Sequence, residues 1–255
     1  MSRITLITSG KGGVGKTTAA AAIGAGLAAA GKRTALIDLD LGLRNLDVAL
    51  GLETQVFWHI GDVLKGTISL EDALVVSERY PNLMLLAAAQ TIKPGTVTEE
   101  GLRNVLEGLS QKAEHVLIDS PAGIGEYFQK IIPMADEGIV VTAPVVSAVR
   151  DADKVLHLLE EAGVRERSII VGGVRPELLR TGDMMQAADI ADVLGVRLLG
   201  VVPDDDAVIA AANLGKPVTA VRSRAGEAYG RIVRRILGED LPIPPLKRKK
   251  GWFRR

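Results

Sequence analysis

The chain has 255 residues, 47% hydrophobic but only 3% aromatic, and no cysteine, which excludes disulfides, Fe–S clusters and thiolate-held zinc. Its 31 basic and 31 acidic residues balance, yet Lys247, Arg248, Lys249, Lys250, Arg254 and Arg255 crowd the last nine positions and leave the remainder six charges negative. A core of Ala, Val, Ile and Leu suits buried parallel strands covered by helices, and charge segregated this way points the C-terminus at an anionic target.

In chain order, the apolar run Ile4–Thr8 reads as a strand that leads straight into glycine, so no signal peptide is expected. Residues 10–17, Gly10-Lys11-Gly12-Gly13-Val14-Gly15-Lys16-Thr17, fit G-x-x-x-x-G-K-[ST] between that strand and a helix over Thr17–Ala30. The glycines let backbone amides wrap phosphate oxygens, and the helix N-terminus adds positive potential. In this pattern Lys16 neutralises β/γ charge, the Thr17 hydroxyl ligates Mg²⁺ and Thr18 adds a phosphate contact. The apolar stretch Ala19–Ala30 is too short and too interrupted by glycine to span a bilayer.

The second strand, Thr34–Asp38, carries Asp38 at its end and Asp40 just beyond, followed by a segment over Leu41–Asp47 expected to be a mobile loop. One of these acids is expected to orient an attacking water, and Asp38 is expected near the metal. Strand Leu83–Leu86, helix Thr98–Lys112 and strand His115–Asp119 come next. Asp119 closes its strand before the sharp turn Ser120-Pro121-Ala122-Gly123, a placement suited to an outer-sphere Mg²⁺ role beside a nucleotide crevice. His59, His115 and His157 show no metal-ligand spacing.

Helix Gly125–Met134, strand Gly138–Thr142, helix Ser147–Ala162, strand Ser168–Gly172, helix Asp183–Leu194 capped by Asp183, strand Arg197–Val202 and helix Gly226–Leu237 complete the alternation. The pattern predicts an α/β chain, a three-layer P-loop NTPase fold with a mostly parallel twisted sheet flanked by helices on both faces. Leu241–Pro245, written LPIPP, ends the last helix. An ATPase domain over 1–240 and a Pro-rich tether with a basic tail over 241–255 are therefore expected.

Lys11 separates this loop from ordinary P-loops. The run from Lys11 to Thr18 resembles the deviant Walker A motif of the MinD/ParA class of ATPases. Further segments are similar to the MinD branch of that class: 38–47, reading D-x-D-x-G-L-R-N-L-D; Asp119-Ser120-Pro121-Ala122-Gly123; Val146 to Asp153; Gly182-Asp183-Met184; and Asn213 to Val218. The likeness covers nearly the whole chain. It implies that Lys11 reaches across a nucleotide-sandwich homodimer to the partner's phosphates, and that Lys11, Lys16, Asp40 and Asp119 serve hydrolysis. Asp38 would begin a nucleotide-sensing switch, and Arg44, Asn45, Asp151 and Asp153 would fall in dimer-contact or partner-docking regions. The resemblance further implies a slow, partner-stimulated ATPase on the inner face of the cell membrane, recruiting a MinC-like division inhibitor and answering to a MinE-like regulator.

Some relatives read adenine with an asparagine before a proline; here that stretch is Gly172-Gly173-Val174-Arg175-Pro176, so Arg175 stacking or contacts from Pro203, Asp204 and Asp205 are expected instead. Relatives also end in a basic amphipathic helix. In the tail, Leu246, Lys250 and Phe253 share one helical face, with Trp252 alongside and Lys247 near the start. Each cation contributes about 1 kcal/mol near an anionic leaflet, and each large apolar side chain ~2 kcal/mol. Ordering the tail costs on the order of 10 kcal/mol, so one tail binds marginally while two gain an avidity of roughly 10²–10⁴. A solvated tail, a nucleic-acid contact in a ParA-like or flagellar-placement ATPase, and an ATP-dependent metabolic ligase are the alternatives; the net-negative body disfavours nucleic acid.

Overall fold

Among the described residues, eight strands form one sheet in the order β3-β4-β2-β5-β1-β6-β7-β8, parallel throughout except for the antiparallel edge pair β3–β4. They are β1 (Arg3–Thr8), β2 (Thr34–Asp38), β3 (Val75–Val76), β4 (Leu83–Leu86), β5 (His115–Asp119), β6 (Glu137–Thr142), β7 (Glu166–Val174) and β8 (Arg197–Pro203). The helices are α1 (Lys16–Ala29), α2 (Leu46–Leu50), α3 (Ile60–Leu64), α4 (Leu70–Ala73), α5 (Glu99–Lys112), α6 (Glu126–Ile131), α7 (Val146–Glu161), α8 (Pro176–Thr181), α9 (Ala187–Leu194), α10 (Ala207–Asn213) and α11 (Arg224–Ile236). The computed structural model describes residues 2–41, 44–91 and 96–246. The membrane contacts expected of Lys247, Lys250, Trp252 and Phe253 lie outside the described residues, as do Gly42 and Leu43 of the 38–47 segment.

The sheet is buried on both faces, which explains the unbroken apolar runs: every residue of β2 and β6 is buried. One core layer gathers side chains of α5, α6 and α7. The other holds α1 and α11. Helix α1 is alanine-rich on all sides because it lies between the sheet, α2 and α11, and an all-apolar helix belongs inside. Close approach requires Gly26, where a Cβ would stand 2.6 Å from Val233. Thr98 and Ser223 cap α5 and α11 by accepting the amides of Gly101 and Gly226.

Several boundaries differ from expectation. Helix α9 starts at Ala187, not Asp183; the turn after α8 claims Asp183, whose amide donates to Leu178 and whose carboxylate accepts from Thr181. The helix expected over Gly125–Met134 is α6 plus a 3₁₀ turn at Ile132–Met134, because Pro133 has no N–H to continue the ladder. The segment Leu41–Asp47 runs into α2, which begins at Leu46.

The proline-rich segment after α11 is held by Arg235 and by Leu246, which packs against the core. Arg235, only 6% exposed, donates to the carbonyls of Leu199 (3.1 Å), Leu241 (2.9 Å) and Pro242 (2.7 Å). The segment then returns along α11 and brings Leu246 to Pro203. Arg235→Met keeps the aliphatic stem and strands three carbonyls. We expect a loss of about 2 kcal/mol in a urea titration, from unsatisfied acceptors, with faster limited proteolysis inside 241–246. An unchanged digestion pattern would show that the segment is held by other contacts.

Candidate nucleotide site

Parallel register brings distant residues together. In β5, Asp119 lies opposite Ile7 of β1 on one side and Asp38 of β2 on the other. The carboxyl ends of three adjacent strands thus converge beside residues 10–15, next to the point where the chain turns from β2, β4 and β5 to β6, β7 and β8. In open α/β sheets ligands bind at such a reversal.

The loop itself is a concave array of amides. Gly13 (φ 80) and Gly15 (φ 96) adopt the left-handed conformation that reverses amide direction, which L side chains resist. Gly15 is also the N-cap of α1; no side chain caps that helix and no acid stands in its first turn. The leading amides, through Thr17 and Thr18, therefore face an anion site with the helix field behind them.

Lys16 is 6% exposed, with Nζ 2.7 Å from Asp119 Oδ1 and 3.5 Å from Asp40 Oδ2. Burial pushes Asp119 up from the ordinary carboxylate range, while Lys16 and then Thr17 draw it back. Its second oxygen, Oδ2, is buried without a hydrogen-bond partner among the described residues. Beside the Thr17 hydroxyl, that orphan acceptor fits a metal-bound water, so the residues suit Mg²⁺ shared with substrate phosphates. Among the described residues no group of three or more His, Cys, Asp or Glu could hold a metal by protein ligands alone.

Asp38 is hydrogen-bonded differently from Asp119. Its Oδ1 accepts from the Asp40 amide (2.9 Å) and its Oδ2 from the Leu46 amide (3.3 Å). These bonds fasten both ends of the segment that carries Asp40. Burial, then the neighbouring Asp119, push Asp38 up to about 7. Arg44, with a left-handed φ of 49, pairs with buried Asp47 at 2.6 Å, and Asn45 precedes α2.

Lys11 stands in contrast to Lys16: it is exposed, and its ammonium has no ion pair among the described residues. Just before it, a Cβ on Gly10 would lie 2.4 Å from the carbonyl oxygen of Asp151. The first half of α7 therefore abuts the loop. Asp151 and Asp153, on that helix, lie near Lys154 (3.5 Å) and His157 (3.6 Å) respectively.

The residues expected around a base gather at the ends of β7 and β8. Arg175 Nε is 2.8 Å from Asp204 Oδ2, and the Asp204 amide donates to Val174. Asp205 accepts from the amides of Ala207 (3.2 Å) and Ala225 (3.1 Å), and Pro203 is buried behind it. Arg224, the first residue of α11, braces this corner by donating to the Asp204 carbonyl at 3.0 Å.

A model of the CobQ/CobB/MinD/ParA nucleotide-binding domain matches residues 5–218. The septum site-determining protein MinD of Bacillus subtilis is 44% identical over 257 residues, spanning 99% of this chain and 96% of its own length. A chain of the MinC:MinD cell division protein complex of Aquifex aeolicus superposes with a TM-score of 0.88 at 39% identity, covering 97% of this chain and 99% of that one. MinD of Pyrococcus horikoshii, solved with Mg-ADP, gives a TM-score of 0.83 at 29% identity, covering 92% and 96%.

Proposed function

Because this chain belongs to the CobQ/CobB/MinD/ParA nucleotide-binding family, and within it to the septum site-determining MinD proteins, we propose that its ATPase cycle is a membrane switch for septum placement. The amides of the loop and Lys16 bind the triphosphate and stabilise charge on the transferred group. Mg²⁺, when bound, neutralises the β- and γ-oxygens; Thr17 would ligate it and Asp119 would accept from its water. Asp40, held by the Asp38 bridge, orients the attacking water.

The observation that carries this reading is the contrast between the two lysines. Lys16 is buried and doubly paired within its own chain, whereas Lys11 is exposed with no ion pair among the described residues. An unpaired ammonium beside a phosphate cradle is available to the phosphates of a second copy, so ATP occupancy and dimerisation become one equilibrium. A dimer carries two tails and gains the avidity that one lacks. The ATP form then sits on the inner face of the membrane and recruits a MinC-like inhibitor, and the ADP form returns to the cytoplasm. Hydrolysis is slow until a MinE-like partner docks; α7, touching the loop through Gly10 and Asp151, is a direct route from such a partner to the phosphates.

Co-sedimentation with vesicles containing anionic lipid tests the reading. The full chain should pellet with Mg-ATP and stay in solution with Mg-ADP, and a chain lacking 246–255 should stay in solution with both. Pelleting indifferent to nucleotide would reject the switch. Lys11→Ala should retain nucleotide affinity within about threefold, as expected for loss of one exposed cation, yet form no ATP-dependent dimer by light scattering. Dimers at wild-type level would remove the trans role of Lys11.

A further inference from the structure

A cavity of ≈ 290 Å³ opens where the returning C-terminal segment meets α11. Arg224, Glu227 and Arg231 of α11 form its polar wall, and Pro203 with residues 244–246 forms its apolar wall. The three polar residues share one helix face by spacing. Arg224 is held by the Asp204 carbonyl and lies 3.9 Å from Asp205. Glu227 and Arg231 stand four residues apart, the spacing that favours a helical ion pair, yet they do not pair. Among the described residues neither side chain makes a hydrogen bond or ion pair, and both line the cavity.

Two guanidiniums, Arg224 being already engaged by Asp204 and Asp205, and the carboxylate of Glu227, backed by prolines and a leucine, define a complementary ligand. A bare phosphate can accept from both arginines but faces Glu227. A phosphate joined by a short link to a primary ammonium satisfies all three: its oxygens accept from Arg224 and Arg231, and its N–H groups donate to Glu227. A quaternary ammonium has no N–H to donate. The cavity has room for a headgroup of about eight non-hydrogen atoms. It also lies at the root of the basic tail, since Leu246 lines it and Lys247 follows. We propose that this cavity is a headgroup site for a phosphoethanolamine lipid, engaged where the tail enters the bilayer. The proposal rests on the membrane reading above.

The test uses the full chain with Mg-ATP and vesicles of equal phosphatidylglycerol content, filled out with either phosphatidylethanolamine or phosphatidylcholine. The wild type should bind the ethanolamine vesicles roughly three- to fivefold more tightly, the scale of a partly exposed charged contact. Glu227→Gln should abolish that preference, and Arg231→Gln should reduce it. A looser bilayer acting on the tail alone would leave the preference intact in Glu227→Gln, which would overturn the site. Equal binding of the wild type to both vesicles would overturn it too, while absence of binding to either rejects the membrane switch instead. Glycerophosphoethanolamine titrated in solution probes the cavity apart from any bilayer. Chemical-shift changes at Glu227 and Arg231, absent with inorganic phosphate, are expected; the same changes with inorganic phosphate would mark a free-phosphate site and overturn the lipid assignment.

Discussion

Lys16→Met should lower ATP turnover by at least about a hundredfold, the scale on which one preorganised donor acts at a charged transition state. It should also destabilise the empty protein, and the two effects are separable. Lys16 is the cation that balances buried Asp119 at 2.7 Å, with Asp38 buried next to it in register. Removing it leaves two carboxylates in a site that already favours their neutral forms, at a cost of about 3–5 kcal/mol where both stay ionised. Protonation relieves that cost. Groups whose folded pKa lies above the unfolded value stabilise the fold below the unfolded pKa, and that stability is lost as pH rises. The variant should therefore lose stability from about pH 4, the ordinary aspartate range, up through neutral pH, more steeply than the wild type. Urea midpoints measured across that range without nucleotide decide it; parallel profiles would mean that Lys16 matters only to substrate.

Much of this site was legible before any fold existed. The P-loop declares itself because amide cradling needs glycines at fixed offsets and a lysine and hydroxyl at its end. Strand-terminal acids were equally readable, since an apolar run ending in Asp marks a carboxyl edge. The role of Asp38 was not. Its two backbone acceptor bonds, one to an amide two residues on and one to Leu46, are set by how the chain turns after β2, which no spacing encodes. The short helices α2, α3, α4, α8 and α10 escaped because fewer than two turns show no period. Asp183 was read as a cap from its type alone, whereas the turn after α8 competes for the same carboxylate. The contact of α7 with the loop was illegible for a further reason: Gly10 reads as a phosphate glycine, and only packing reveals that it faces Asp151.

That packing makes Gly10→Ala the second variant with a large expected effect. The added Cβ would meet the Asp151 carbonyl oxygen at 2.4 Å, its carbon at 2.5 Å and its Cβ at 2.7 Å. Most of this obstruction is backbone of a helix anchored by buried Ala148, Val149 and Ala152, so it cannot swing aside. On the other side, Thr8, which ends β1, and Ser9 just after it are buried. The loop must move instead, and displacing aligned donors by about 1 Å costs on the order of a hundredfold. Calorimetry with Mg-nucleotide should show that loss while circular dichroism still reports the folded α/β protein. Gly12→Ala is the control, since among the described residues its Cβ meets no atom within 4 Å and its backbone is not left-handed. It should leave the thermal midpoint of the empty protein nearly unchanged, whereas Gly10→Ala lowers it. Undiminished affinity in Gly10→Ala would mean that α7 can yield at Asp151, and a helix that yields there cannot transmit a docked partner to the phosphates.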